Sequence, residues 1–227
     1  LGVPLDTSRE KFDESLNVLQ ALLREEEVSW DGKYYKFDPI TIMPRPVRAP
    51  QIMMAVMVPP GIHACTKRGF HIQTTPLSGS HQMMLDQVAA HKTAKAEMGD
   101  DGKHLTLSLS RVGFICKSRA DRQAKIEQAN DYYSRFDNVF TGPGLVEKGM
   151  IKPLPRKQTI DELADSLLIC TPQEMIDKLA PYADAGVDRV ILNVNFGASQ
   201  SETLDCIQQF AEDVMPHFTD RATLAAE

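Results

Sequence analysis

The stretch that runs from Thr171-Pro172-Gln173-Glu174-Met175 to Val190-Ile191-Leu192-Asn193-Val194-Asn195 has the pattern of one helix followed by one strand. Thr171 can cap a helix through its side-chain oxygen, and Pro172 suits the first helical position because proline has no N–H to lose there. Gly186 marks the end of the helix, since glycine adopts the left-handed conformation at low cost. The run Val190-Ile191-Leu192 is apolar throughout, which is typical of a strand buried on both faces in a parallel sheet. This stretch predicts an α/β fold, and the alternative is an amphipathic helix beside an unrelated core segment.

The composition of the 227-residue chain is that of an ordinary globular protein, with 42% hydrophobic residues and a formal net charge of −6. That negative charge disfavours binding to the phosphate backbone of nucleic acids, for which a basic surface is needed. No apolar run approaches the roughly 20 residues that cross a bilayer, and no charged-then-apolar leader is present, so we expect a cytoplasmic protein without membrane contact. The 4 cysteines lack CxxC spacing and the 6 histidines lack HExxH spacing, so the sequence predicts reduced thiols and no metal site.

Helical and strand patterns alternate along the chain. Strands are predicted at residues 51–57, 70–75, 105–116 and 190–195, and the first and last of these are predicted to be buried on both faces because of their apolar runs. Helices are predicted at about residues 6–25, 62–67, 81–98, 120–136, 161–168, 172–185 and 202–215. Two segments lie outside this alternation. One is a hairpin with a two-residue Asp31-Gly32 turn, and the other is the Gly- and Pro-rich segment 137–154, interpreted as a functional lid or a disordered connector.

Four strands separated by crossover helices predict right-handed β-α-β units and a parallel sheet. Two architectures satisfy this order, a doubly wound open sheet and a β/α barrel. No GxGxxG sequence follows any predicted strand, which weakens the case for a dinucleotide-binding open sheet without excluding other open sheets.

Five segments follow one another in a consistent order: residues 7–16, Trp30-Asp31-Gly32-Lys33-Tyr34-Tyr35, Pro44-Arg45-Pro46-Val47-Arg48-Ala49-Pro50, residues 171–188 and residues 210–216. Together they resemble the bacterial luciferase-like flavin-dependent monooxygenases. The resemblance implies a (β/α)8 TIM-type barrel of which this chain, as a single domain over residues 1–227, supplies about the second half, strands 5–8 and their flanking helices. A half barrel leaves unpaired edges on its first and last strands, and such edges promote aggregation. We therefore expect the natural protein to carry an N-terminal half, with residues 1–4 following its fourth strand.

The resemblance also implies a function. Reduced FMN would react with oxygen while the protein orients a small organic substrate, a separate flavin reductase would supply the reduced flavin, and the full-length protein would form a homodimer. Two other functions fit the same sequence: hydride transfer by a deazaflavin (F420)-dependent oxidoreductase, and a non-catalytic barrel that binds flavin or another ligand. Oxygen consumption with reduced flavin separates the first function from the other two.

In β/α barrels the chemistry collects at the C-terminal ends of the strands, where the connecting loops converge. After the first predicted strand this rule selects Met57, Val58, Gly61 and Ile62, because free N–H groups at the start of the following helix could hold a phosphate. The resemblance assigns that phosphate to FMN. Ser or Thr is common here in the family, whereas this chain has Val58-Pro59-Pro60, which weakens the prediction of tight flavin binding.

The same rule selects Thr74 after the second strand, and Asn193 and Asn195 after the last, as walls of a substrate pocket. Capping, turn and loop-forming roles are the alternatives for these three side chains. On the third strand Ser110 and Arg111 are the candidate catalytic residues, with a structural ion pair as the alternative for Arg111. The alkanesulfonate-oxidising branch of the family tends to have Arg at the position of Ser110 and His two residues later, so the resemblance argues against a sulfonate substrate.

Overall fold

The structure is a computed structural model that describes residue 4, residues 6–140 and residues 142–218. Two compact units follow each other along the chain, Leu1–Ile52 and Met53–Glu227. The expectation of one domain over residues 1–227 stays a prediction. The expectation for residues 1–4 lies outside the described residues at every position but the last.

The first unit contains one helix and one antiparallel hairpin. The predicted N-terminal helix is α1 (Ser8–Arg24), and the hairpin consists of β1 (Val28–Asp31) and β2 (Lys36–Ile40). Asp31 pairs with Lys36, so four residues connect the strands and the predicted two-residue turn is wrong. The wider loop forms because the Glu14 carboxylate on α1 accepts the N–H groups of Tyr34 and Tyr35, each at 3.0 Å.

The second unit alternates strands and helices. A 3-10 turn (Gly99–Gly102) follows the helix His81–Met98. A π turn (Phe210–Val214) and a 3-10 turn (Met215–His217) follow the helix Gln200–Gln209. In chain order the elements are β3 (Met53–Ala55), α2 (Pro59–Lys67), β4 (His71–Thr74), α3 (His81–Met98), β5 (Leu107–Ile115), α4 (Arg119–Phe140), β6 (Val146–Glu147), β7 (Met150–Ile151), α5 (Ile160–Ser166), β8 (Leu168–Cys170), α6 (Pro172–Ala185), β9 (Arg189–Asn193) and α7 (Gln200–Gln209).

Five strands of the second unit form one sheet in which every pairing is parallel. β3, β4 and β5 lie side by side; β9 pairs with the first part of β5, and β8 pairs with its last three residues. This confirms the predicted α/β fold with a parallel sheet. The count of four strands is wrong, because the sequence pattern assigned Leu168 to a helix end and missed β8. Three apolar residues between two helices are too few to show a strand period.

The first and last predicted strands are shorter and more exposed than expected. Met53 on β3 is 37% exposed, and every residue of β9 is at least partly exposed. Among the described residues β3 pairs only with β4 and β9 only with β5, so each strand has one unpaired edge. The prediction that residues 51–57 and 190–195 are strands buried on both faces is therefore wrong, since their apolar composition does not bury them without a neighbour on each side.

The helix that begins at Thr171 forms as the sequence predicts. The Thr171 side chain accepts the N–H of Glu174, and the Glu174 carboxylate accepts the N–H of Thr171 at 2.9 Å, so the two residues satisfy free donors at the start of α6. Gly186 ends the helix in the left-handed region, with φ 83° and ψ 37°. Met175, Leu179 and other residues on one side of α6 are buried against the sheet core.

The described residues of the segment 137–154 are ordered, so the disordered connector is wrong, and a role as a functional lid stays a prediction. α4 continues to Phe140, and β6 and β7 then form a short antiparallel hairpin. The buried Asn138 side chain holds this hairpin: its amide nitrogen donates to the carbonyls of Leu145 (2.9 Å) and Lys152 (2.7 Å), and its oxygen accepts the N–H of Leu145 (2.9 Å). The Asn138 side-chain amide therefore orders this hairpin, which the Gly and Pro content of the segment did not predict.

Candidate active site

The two faces of the parallel sheet differ in chemistry, and strand register assigns each residue to one of them. Side chains of directly paired residues in neighbouring parallel strands point to the same side of a sheet. Met54, Ile72 and Leu107 form one row, and with Leu109 they pack against the apolar sides of the helices. We call this side the helix face. The opposite side, here called the open face, carries Met53, Ala55, His71, Gln73, Ser108, Ser110, Val112, Arg189, Ile191 and Asn193.

Polar side chains dominate the open face. Gln73 pairs with Ser108, and Ser110 lies two residues further along β5 beside Ile191. The hydroxyl of Ser108 is buried and has no hydrogen-bond partner among the described residues. Most buried polar groups have a partner, so an unsatisfied hydroxyl in the middle of a sheet marks a position where a ligand or a further protein segment can bind. The open face therefore offers amide and hydroxyl groups to a polar ligand.

Ser110 and Arg111, the two candidate catalytic residues, lie on opposite faces. Ser110 belongs to the open face, whereas Arg111 shares the helix face with Leu192. The Arg111 side chain is buried, with Nη1 donating to the carbonyl of Leu77 at 3.0 Å and Nη2 donating to the carbonyl of Ser166. These hydrogen bonds therefore go to main-chain carbonyls in the β4–α3 connection and at the end of α5. The structure does not bring the two residues together, and their catalytic roles stay predictions.

Thr74 and the two asparagines are also separated. Thr74 lies on the helix face beside Leu109, is 2% exposed, and has a buried hydroxyl without a hydrogen-bond partner in the described chain. Asn193 lies on the open face at the end of β9, and its side-chain oxygen accepts the N–H of Asn195 at 3.2 Å. Asn195 is exposed beyond the strand. Asn193 thus combines a loop-forming contact with a position on the open face, and the pocket role of all three residues stays a prediction.

The turn after β3 has few donors for a phosphate. α2 begins at Pro59, three residues earlier than predicted, so Pro59 and Pro60 occupy its first positions and supply no N–H. The N–H of Ile62 is already bonded to the carbonyl of Val58 at 3.0 Å, and Val58 has no polar side chain. Gly61 is left as the one residue of this first turn whose N–H has no main-chain acceptor within the described residues. One donor does not make a phosphate cradle, so this turn does not fit the FMN phosphate.

A hydrogen-bonded side chain from α3 holds the ends of the first two sheet strands. The Gln87 amide nitrogen donates to the carbonyl of Met57 at 2.8 Å and to that of Thr75 at 3.0 Å. Gln87 is 1% exposed and follows the buried Met84 by three residues. It therefore fixes the spacing between the C-terminal ends of β3 and β4, where the sequence places the cofactor-binding and pocket residues.

A cleft with a volume of about 940 Å³ lies on the second unit. Its walls come from the loop between β4 and α3, the end of α4, and the segment that leads into α5. A volume of this size accommodates a small organic molecule. The lining residues are Ser78, Ser80, His81, Asp137, Gly142, residues 154–158, Glu162, Asp165 and Ser166.

Arg156 is the centre of a polar network in this cleft. Its side chain is 7% exposed; Nε donates to Asp137 at 3.0 Å, and Nη2 donates to Ser78 at 2.8 Å and to Gln158 at 3.0 Å. Its guanidinium lies 5.2 Å from the centre of the Tyr133 ring, and burial raises the pKa of that tyrosine to about 12. The phenol therefore stays neutral at physiological pH and offers the cation an aromatic face.

Within residues 4, 6–140 and 142–218, no three His, Cys, Asp or Glu side chains lie close enough together to hold a metal ion. No helix in the same ranges is both long and apolar enough to cross a membrane.

Sequence reasoning missed Gln73, Gln87 and Arg156. Gln73 is polar in a strand of mixed character, and its position on the open face depends on register, which the pattern alone does not reveal. Gln87 carried a usable signal, because a polar residue three positions after Met84 and one before Val88 lies on the buried side of the predicted helix. Arg156 follows a Pro-rich segment, and nothing local predicted its burial.

Comparison with known proteins gives one family and a set of similar folds. The family model described as luciferase-like monooxygenase matches residues 1–189. The oxygenase component of a flavin-dependent trigonelline monooxygenase from Acinetobacter baylyi is 23% identical over 199 residues, which are 84% of this chain and 55% of the relative. The chain thus spans about half the length of that relative.

Solved structures extend the comparison of the fold. Monooxygenase RslO1 from Streptomyces bottropensis matches with a TM-score of 0.72 and 19% identity, over 96% of this chain and 64% of that one. An F420-dependent secondary alcohol dehydrogenase in complex with an F420–acetone adduct matches with a TM-score of 0.69 and 16% identity, over 97% of this chain and 64% of that one. Both likenesses concern the fold.

Proposed function

Because the chain belongs to the luciferase-like monooxygenase family, we propose that the protein of which it forms part is an oxygenase that uses reduced FMN and oxygen on a small organic substrate. Four strands of the parallel sheet, β3, β4, β5 and β9, would be strands 5–8 of a (β/α)8 barrel, and the open face would line its interior. The observation that carries the proposal is the polar group of Gln73, Ser108, Ser110 and Asn193 on that face, among them a buried hydroxyl without a partner.

The residues of the open face would bind and orient, and the flavin when bound would supply the oxygen chemistry. Gln73 can donate and accept hydrogen bonds, and the hydroxyls of Ser108 and Ser110 can do the same. The turn of Met57, Val58, Gly61 and Ile62 does not fit a phosphate, so the phosphate contacts would have to come mainly from other residues of the whole protein.

The proposed partners follow from the family and from one relative. The similar protein from Acinetobacter baylyi is named as an oxygenase component, which supports a separate flavin reductase as the supplier of reduced flavin. We propose a cytoplasmic homodimer for the whole protein. The net negative charge disfavours nucleic acid as a partner, and Ser110, at a position where the alkanesulfonate-oxidising branch tends to have Arg, argues against a sulfonate substrate.

Two alternatives each have one supporting observation. Hydride transfer with F420 is supported by the likeness to the F420-dependent alcohol dehydrogenase, although that likeness concerns the fold. A non-catalytic ligand-binding role is supported by Pro59 and Pro60, which leave the expected phosphate turn with too few donors.

The test is a flavin titration followed by two activity assays. FMN is titrated into the 227-residue chain and into a chain that includes any residues preceding it in the natural protein, and flavin fluorescence quenching is measured. Saturable quenching followed by oxygen uptake with reduced FMN is the expected result. Hydride transfer from reduced F420 without oxygen uptake would favour the first alternative, and absence of both activities would favour the second.

A pair of neighbouring substitutions tests the assignment to the open face. Gln73→Leu removes a polar group from that face, and Thr74→Val changes the next residue of β4, which lies on the helix face. We expect the Gln73 variant to weaken FMN binding and the Thr74 variant to leave it unchanged. The reverse order would place the binding surface on the wrong side of the sheet.

A further inference from the structure

The cleft beside α3 contains a buried cation, the guanidinium of Arg156, and the two N–H groups of its Nη1 have no acceptor among the described residues. Arg156 uses Nε and Nη2 for hydrogen bonds to Asp137, Ser78 and Gln158, whereas its Nη1 is buried and has no partner among the described residues. A guanidinium carries five N–H donors, and a buried donor without an acceptor is unfavourable. Arg156 also lines the cleft, and a ligand oxygen that enters beside its guanidinium would give Nη1 an acceptor.

We propose that this cleft binds the carboxylate of a small organic acid, with Arg156 as the residue that selects for it. The inference deepens the proposed function, because it names the chemical class of the substrate, a monocarboxylate, and it rests on that function. The planar guanidinium matches the geometry of a carboxylate better than a lysine ammonium does.

Two further features of the cleft favour a negative group. Lys157 lines it next to Arg156 and is exposed. The first residues of the 18-residue helix α3, Ser80 and His81, line it too, and the first turn of α3 has no acidic residue. A helix start without acidic side chains favours an anion, since its free N–H groups carry partial positive charge.

The other charges in the cleft favour a single negative charge over a double one. Asp137, Glu162 and Asp165 also line it, so three carboxylates face two cations. Asp137 is paired with Arg156, and Glu162 accepts the N–H of its own helix cap, Thr159, at 2.8 Å. This net charge of −1 opposes any anion, and it opposes a phosphate dianion about twice as strongly as a carboxylate because the Coulomb energy scales with the product of the charges. The attraction for a carboxylate must therefore come from direct hydrogen bonds to Arg156.

The position of the cleft connects it to the sheet. Ser78 follows β4 in the chain, at the C-terminal end where β/α proteins place their sites. Ser166 lines the cleft and Leu77 precedes the lining residue Ser78, and the carbonyls of both accept hydrogen bonds from Arg111. Arg111 is thus a positioning residue for the carboxylate site, and its neighbour Ser110 lies on the open face.

The test measures binding of benzoate and of its neutral analogue benzamide by isothermal titration calorimetry, without flavin. We expect saturable benzoate binding at least about tenfold tighter than benzamide binding, since a charge-assisted pair is worth roughly that factor. Arg156→Gln should reduce benzoate affinity about tenfold or more and leave benzamide affinity unchanged. The matched control is Arg135→Gln, which removes an arginine that pairs with Asp131 outside the cleft and should change neither affinity.

A second variant keeps the test informative if Arg156→Gln does not fold. Asp137→Asn removes the carboxylate that competes for Arg156, so benzoate should bind several-fold more tightly. Equal affinities for benzoate and benzamide, no binding of either, or weaker benzoate binding in Asp137→Asn would overturn the inference. Selective benzoate binding in a protein that fails every flavin assay would instead refute the proposed function and leave the carboxylate site standing.

Discussion

Arg111 is the residue for which the structure and the sequence suggest different roles, and its replacement by methionine distinguishes them. The sequence nominates Arg111 beside Ser110 as a catalytic residue, whereas the structure shows its guanidinium buried and bonded to the carbonyls of Leu77 and Ser166. Methionine has a similar length and no donor. Arg111→Met therefore tests how far the two carbonyl contacts hold the β4–α3 connection and the end of α5.

The expected loss of stability follows from two charge-assisted hydrogen bonds. Each is worth about 1.5–3 kcal/mol, so the gross loss is about 3–6 kcal/mol. Removing a buried charge whose Nε has no partner recovers part of its desolvation cost, which lowers the net loss to about 2–4 kcal/mol. For a chain of this size that loss corresponds to a Tm lower by about 4–16 °C.

The assay is urea unfolding followed by circular dichroism, with Ser110→Ala as the matched control. Ser110 is the next residue of the same strand and lies on the opposite face, so its replacement should cost less than about 1 kcal/mol. If the free energy of unfolding of Arg111→Met lies within 1 kcal/mol of that of the wild-type protein, the two carbonyl contacts do not stabilise the fold as proposed. Loss of flavin-dependent turnover in a fully stable Arg111→Met protein would support the catalytic assignment instead.

Three further predictions concern residues outside the open face. Asn138→Asp should destabilise the protein by about 2–3 kcal/mol and expose the β6–β7 hairpin to limited proteolysis, because it replaces the donor of two main-chain bonds, whereas Asn195→Asp at an exposed site should not. Burial lowers the pKa of His91 from 6.5 to about 4, so the free energy of unfolding, measured with urea, should fall as the pH drops from 6.5 to 4. His91→Gln should flatten that pH dependence. Gly186→Ala should cost about 1–2 kcal/mol, since a φ of 83° strains any residue with a Cβ atom, and an unchanged Tm would contradict the left-handed cap.

Sequence patterns correctly predicted those elements of the second unit that depend only on a few neighbouring residues. The cap at Thr171, the stop at Gly186 and the helix His81–Met98 follow from a few neighbouring residues, and the structure confirms all of them. The failures share one cause. The wider loop held by Glu14 and the hairpin held by Asn138 depend on contacts between residues that lie apart in sequence, and a local pattern does not contain them.

For the site, the sequence nominated residues at the strand ends, whose roles stay predictions, and it did not predict which way their side chains point. The alternation along β5 correctly separates Ser110 from Arg111, but it does not say which of the two faces is covered by helices. Register with β4 and β9 decides that question, and it assigns Ser110 and Asn193 to the open face and Thr74 to the helix face. A one-residue error in register would exchange the two sets.

The two prolines after β3 connect the fold to the chemistry of the family. A proline suits the first turn of a helix because its missing N–H would be unpaired there, and the same missing N–H removes a donor from the place where helices bind phosphate. Pro59 and Pro60 therefore improve the start of α2 and weaken it as an anion site. Beyond β4, by contrast, Arg156 lines a cleft and has a cationic donor, Nη1, without a hydrogen-bond partner among the described residues. The main chain after β3 is thus poor in donors for a cofactor phosphate, whereas the proposed carboxylate site beyond β4 depends on a side chain.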